Sequence, residues 1–363
     1  METTGDRVRR LIDEAGSTQR AFAEQIAIEQ SKLSKSLSGM RRFTSLELAL
    51  IAEALHVTVD WLLTGQEPEL ATAARRSAGS SAETALRLAR QYATQRTNLT
   101  RLGYPQKPNL PGPVSRSTTW IQQGEALASA TTAMLDSMGL STVGDLPKVI
   151  EEAFGIDVAI EQLGTGFDGL AVSTETTKLI LVDATSITAR QRFTIAHELG
   201  HLLSGDDQAI HEDADIYSSA SKKGEGEVRA NAFAAALLMP ERLVRSMVAE
   251  QGSSLEGLSS VAQALSVSPT ALAYRLENLR VIDAGLRSAL MATTSKAAAM
   301  KAGRATEFAA ASAASMQRRP PGLLLADALA AYEAGQSTLR VFAEILGVDT
   351  QTLRREWAEG EGR

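Results

Sequence analysis

The sequence contains no cysteine. Disulfides, thiolate metal knuckles and cysteine nucleophiles are excluded, and the composition suits a reducing interior. Histidine is scarce too, with four in 363 residues, so any metal must be held by those few imidazoles and by carboxylates. No window approaches the ~20 apolar residues needed to span a bilayer, which argues against a membrane protein. The opening METTGDRVRRLIDEAG is charged where a secretory leader would be apolar. A cytoplasmic protein is expected.

What is present is an ordinary soluble balance, 44% hydrophobic and 22% charged. The length exceeds one ordinary core and predicts two or three domains. The net charge of -6 is uneven: residues 70–116 carry eight Arg and Lys against the single acid Glu83, while the chain after residue 117 is acidic. The two ends are built for different partners.

Residues 6–65 read as five short helices, with apolar residues at helical spacing (Val8, Leu11, Ile12; Phe22, Ala23, Ile26) and with Gly16 and Gly39 at helix ends. A further helix pattern at 82–102 places Leu86, Ala89, Tyr92, Ala93 and Leu99 on one side. PQKPNLPGP then holds four of the ten prolines in nine residues, which marks a boundary. Residues 119–155 read as helix. Residues 156–182 read as strands, IDVAIEQL, GLAVST and KLILVD, with Thr165, Gly166, Asp168 and Gly169 in a turn between the first two. Helices follow at 188–204 and 225–239, the latter closed by Pro240. The remainder is helical, with an alanine-rich stretch at 297–315, a break at Pro320-Pro321 and a final unit from 322 to 358. The predicted fold is mainly α with a small β-sheet. Its expected divisions are 1–66, 67–116 (basic helix and Pro-rich linker), 117–283 and 284–363 (helical).

RQRFTIAHELGHLL, residues 190–203, carries the strongest local signal. On an α-helix, residues four apart share a face about 6 Å apart along the axis, so His197 and His201 can aim at a common ion. Glu198, turned about 100° from His197, is placed to act on a water at the metal rather than to ligate. A tetrahedral centre needs a third protein ligand. The extended H-E-x-x-H-x-x-G-x-x-H pattern fails, since Ser204 and Asp207 occupy its glycine and third-histidine positions. Glu225 and Glu227 in EGEVRANAFAAALLMP are the alternatives. Glu227 is favoured because Ala230, Asn231 and Ala234 would share its face and permit close approach. Gly200 lets a strand or substrate approach the helix closely, and burial of two histidines and a glutamate is costly unless something binds them.

Residues 147–240 resemble the ImmA/IrrE family of metallopeptidases, through GLAV and ILVD before the site, RQRFTIAHELGHLL at it, and E-x-x-A-N-x-F-A-x-x-L-L-M-P from Glu227 to Pro240. The resemblance implies an α+β zincin-like domain in which His197, His201 and Glu227 hold Zn2+ and Glu198 is the catalytic base. It also implies limited endoproteolysis of a regulatory protein. His211, Tyr217 and Tyr274 are weaker candidates for stabilising the oxyanion, and the polar segment 205–227 for a lid or substrate loop.

Residues 17–65 resemble the five-helix helix-turn-helix of the XRE/Cro repressor class. Ser17 or Thr18 caps the second helix, and Gln19 stands at its start where that class meets phosphate. Gln30 to Leu37 is the recognition helix: Leu33 and Leu37 face the core, and Gln30, Ser31, Lys32, Ser34 and Lys35 face a major groove. Arg41 and Arg42 suit phosphates, and His56 falls in a structural turn. The resemblance implies double-stranded operator DNA as partner and a homodimer, with the apolar stripe of 82–102 or the final helical unit as candidate dimer surfaces. Ser268 caps a helix at Pro269. The helix-turn-helix look of 259–282 and 337–357 is taken as packing, because the charge there is mixed. The combination reads as a DNA-binding transcriptional regulator with a zinc endopeptidase that cleaves itself, a partner repressor or an antitoxin-like protein. The alternatives are a non-proteolytic repressor with a metal- or ligand-sensing domain, and an antitoxin.

Overall fold

Short helices cut by glycines with positive φ set the N-terminal architecture. The computed structural model describes residues 3–26, 28–55, 62, 80–111, 119–164, 166–205 and 224–360, and the chain divides into two units, Met1–Arg75 and Arg76–Arg363. Ala27, His56, Thr165, Asp207, His211, Tyr217 and most of the expected fifth N-terminal helix lie outside the described residues.

In the first unit α1 (Thr4–Glu14), α2 (Gln19–Gln25), α3 (Gln30–Leu37) and α4 (Ser45–Ala54) surround Val8, Ile12, Phe22, Leu33, Leu37 and Ile51. Thr3 and Asp6 form a capping box on α1, and Thr18 caps α2 by accepting from Ala21 N–H. Gly16 and Gly39 adopt φ 66° and 76°, the left-handed conformation that stops a helix cleanly. A Cβ on Gly5 would sit 2.7 Å from the Leu37 carbonyl oxygen, so glycine sets the close approach of α1 to α3.

The second unit is built on three strands, β1 (Asp157–Glu161), β2 (Gly169–Ser173) and β3 (Lys178–Asp183), in the order β1-β3-β2. Central β3 runs parallel to β1 and antiparallel to β2, with Asp157 opposite Leu179 and Gly169 opposite Val182. Nearly every strand residue is buried, as expected for a sheet covered on both faces. Val158, Ile160, Ile180 and Val182 join the main core with α8 (Thr188–Ser204). The alternate residues Leu170, Val172, Leu179 and Leu181 are equally buried, and α5 (Ser80–Arg101) and α16 (Gly322–Glu333) contact the sheet as well.

Residues 119–155 form two helices, α6 (Trp120–Ser137) and α7 (Leu146–Phe154), because Gly139 and Gly144 adopt φ 70° and 108° and Pro147 restarts the helix in its first turn. After α8 come α9 (Glu225–Leu238), α10 (Glu241–Gln251), α11 (Leu255–Ala264), α12 (Pro269–Asn278), α13 (Ala284–Met291), α14 (Ser295–Lys301) and α15 (Ala305–Ser315). α17 (Leu339–Leu346) and α18 (Thr350–Gly360) follow α16. The alanine-rich stretch is broken at Gly303, φ 68°.

The structure redraws the surroundings of α5. Its apolar stripe is consumed within the chain, with Leu86, Ala89, Tyr92 and Leu99 all buried, so it is not a free dimer surface. Arg96 is buried against Asp157 at 2.7 Å and also pairs with Asp327, which removes it from contact with phosphates. The Pro-rich stretch is irregular over 104–111 but stitched down: Gln106 donates to Asp157 at 3.0 Å and to the Lys178 carbonyl at 2.7 Å. The C-terminal helices belong to the same unit. Arg319 and Ile160 exchange two 2.8 Å backbone hydrogen bonds along the outer edge of β1, covering an edge that would otherwise be open for pairing.

Candidate metal centre

Helix α8 is apolar enough to be buried, with Ile195, Ala196, Leu199 and Leu202 in the core, and it carries three ionisable groups in with them. His197, Glu198 and His201 are 0%, 1% and 2% exposed. Desolvating such groups is costly unless they are paired or ligate a metal. Gly205 ends the helix at φ 62°.

Helix α9 crosses α8 closely at Gly200, where a Cβ would lie 2.8 Å from Phe233 Cδ1 and 3.3 Å from Ala230 Cα. From the other side α6 approaches α9 at Gly124, where a Cβ would meet the Arg229 carbonyl oxygen at 2.4 Å. Small residues thus bring the first turn of α9 to the histidines. Glu227 Oε2 is 3.3 Å from His197 Nε2, and Oε1 is 3.1 Å from His201 Nε2. The two Nε2 atoms are 3.1 Å apart. Glu225, the sequence alternative, is exposed.

These separations fit a metal. Ligands about 2.0–2.1 Å from a tetrahedral ion lie roughly 3.3 Å from one another, close to the three distances found. Two imidazole nitrogens and a carboxylate are a donor set for a divalent ion, and this group could bind one. His197 Nδ1 is 3.1 Å from Asn231 Oδ1. Donation from Nδ1–H to that oxygen holds the ring with Nε2 facing Glu227 and His201. Burial raises the Glu227 pKa, but hydrogen bonds and charge from His197 and His201 outweigh it and hold the carboxyl well below its ordinary range. The group is poised as an anion.

Sequence reasoning missed two residues of this site. Asn231 enters as a small neighbour of Glu227, yet it is what orients His197; the usable signal is its place four residues after Glu227, on the same face. Arg229 donates to Ser204 Oγ at 3.1 Å and lies over the Trp120 ring at 5.4 Å, linking α9 to the end of α8 and to α6. Tyr274 is 47% exposed, and its ring carries the Arg287 guanidinium at 5.2 Å, a surface partnership.

In the first unit α3 turns Leu33 and Leu37 inward and leaves Gln30, Ser31, Lys32, Ser34 and Lys35 exposed, with Gln19 half-buried at the start of α2. Arg42 is exposed. Arg41 differs from expectation: its guanidinium is engaged by Glu47 and by Ser36 Oγ at 3.1 Å, an intramolecular pairing that competes with phosphate.

Residues 151–277 match the family described as Peptidase_M78: IrrE N-terminal-like domain. This stretch, about a third of the chain, is thus similar to a domain of metallopeptidase type. Among its relatives is a protein named radiation response metalloprotease IrrE from Deinococcus radiodurans, 32% identical over 163 residues, which are 43% of this chain and 48% of that protein. A protein of the same name from Deinococcus deserti is 36% identical over 99 residues, 27% of this chain and 35% of that protein. The chain thus spans about half or less of the length of these relatives.

Proposed function

We propose that the protein is a DNA-binding transcriptional regulator whose second unit is a zinc-dependent endopeptidase acting on a regulatory protein. The observation that carries this reading is the convergence of His197, His201 and Glu227, with Glu198 one position along the same buried helix. His197, His201 and Glu227 would hold a zinc ion, which would supply Lewis acidity toward a peptide carbonyl and a water. Asn231 keeps the His197 Nε2 lone pair directed at the centre. Glu198 takes the proton of the attacking water and delivers it to the departing amide nitrogen, as a general base and then a general acid.

The first unit supports the DNA half of the reading. The outer face of α3 offers amides, hydroxyls and the ammonium groups of Lys32 and Lys35, which suit base edges and phosphates in a major groove. A dimer on a two-fold operator suits a helix-turn-helix of this kind. The names of the relatives favour a stress-linked protease over a housekeeping one.

The test compares protein fragments, by mass spectrometry of new N-termini, in cells producing wild type or Glu198→Gln. Expected is at least one regulator cut only by the wild type. Identical fragment sets, together with operator binding that changes on metal removal, would replace the enzyme by a metal-sensing repressor.

A further inference from the structure

A cavity of about 510 Å3 lies away from the histidines, between the first turn of α8 and the C-terminal helices. The starts of α8 and α14 and the connection between α11 and α12 supply Thr188, Ser295 and Val267, and α15 with the residue before it supplies Arg304, Glu307, Phe308 and Ala311. Its volume falls within the roughly 300–1,000 Å3 of small-molecule sites. Its walls divide by character. Ile187, Val267, Phe308 and Ala311 present an apolar surface, and Arg304 provides a cation.

Arg304 is loosely held. Its ion pair with Glu307 is 3.8 Å long, with the two side chains 47% and 73% exposed, a pair of little intrinsic worth. The seam between α15 and the start of α8 is firmer: Ser315 Oγ donates to the Thr185 carbonyl at 2.7 Å and lies 3.1 Å from Thr188 Oγ1, and Ser312 Oγ donates to the Ser186 carbonyl at 2.7 Å. Helix α15 is thereby fastened to the start of the helix that carries His197, so the concavity is preformed.

We propose that this cavity is a binding site for a small amphipathic anion, with one carboxylate or sulfonate on an apolar body. The anionic head meets Arg304, displacing the long contact to Glu307, and the apolar body covers Phe308, Val267 and Ile187. The first turn of α8 is one wall, about 13 Å along the helix from His197 at 1.5 Å per residue.

The probes are 8-anilinonaphthalene-1-sulfonate, read by fluorescence, and decanoate as its competitor, on the full chain. Expected is one saturable site from which decanoate displaces the dye. Arg304→Gln should weaken binding about tenfold, while Glu307→Gln, which removes the competing carboxylate, should tighten it severalfold. Ala311→Trp fills the exposed rim and should abolish binding with an unchanged melting curve; if that variant folds poorly, the opposed charge variants still decide. Hydrogen exchange should show decanoate protecting residues 185–191 and 304–311. Dye binding that is non-saturable, indifferent to all three substitutions, or protective elsewhere in the chain would overturn the proposal.

Discussion

A buried imidazole has two nitrogens to satisfy, and His197 divides them: Nδ1 toward Asn231, Nε2 toward Glu227 and His201. Outer partners of this kind commonly contribute 10–100-fold in metal affinity. Asn231→Ala should therefore lower zinc affinity by about that factor while leaving the circular dichroism spectrum intact, measured by competition with a chromophoric chelator. Unchanged affinity would show that packing alone orients the ring. The convergence of His197 and His201 was legible in the sequence because a helix puts them on one face whatever surrounds them. Glu227 needed more, since its approach rests on the small residues of α9 facing α8. The role of Asn231 was not legible, because an asparagine is equally at home on a solvated helix face.

Helices α8 and α9 meet through Gly200, Ala230 and Phe233, so the site depends on an interhelical spacing. In an isolated helix Gly→Ala is worth about 1 kcal/mol in its favour. Here the added methyl would fall 2.8 Å from Phe233 Cδ1, and overpacking costs about 1–3 kcal/mol. Gly200→Ala should be destabilising by roughly 1 kcal/mol net and should weaken metal binding, as read by urea unfolding and metal titration. A stabilised variant would mean that Phe233 gives way. The strands read easily because Leu179 to Val182 is an unbroken apolar run bounded by polar residues. The break between α6 and α7 was harder, because the apolar spacing continues through it and only Gly139, Gly144 and Pro147 mark it. The burial of α5 could not be read locally: a stripe such as Leu86, Ala89 and Tyr92 requires a partner without naming one.

Across the whole second unit, the Arg96–Asp157 pair joins α5 to the sheet, and Asp157 also accepts from Leu324 N–H at 2.8 Å at the start of α16. Burial pushes the Asp157 pKa up to about 6, against the pull of Arg96 and its hydrogen bonds. A carboxyl whose folded pKa lies above its unfolded value binds protons preferentially when folded. Its contribution to stability is therefore greatest below about pH 4 and declines as pH rises through 6. Glu227, shifted down, acts in the opposite direction and only as pH falls below its unfolded range. Between pH 4.5 and 7 the stability of Asp157→Asn should lack the wild-type decline, so the gap between the two proteins narrows with rising pH in denaturant unfolding; a gap that widens would contradict the assignment.

One measurement bears on the metal centre most directly: zinc content and affinity, by elemental analysis and calorimetric titration, of wild type, Glu198→Gln and Glu227→Gln. Wild type and Glu198→Gln should each hold one zinc ion per chain with similar affinity, whereas Glu227→Gln should lose at least about tenfold, the roles of base and ligand being separate. A wild type that binds no metal, or a Glu227→Gln variant that binds it as tightly as the wild type, would contradict the centre described here.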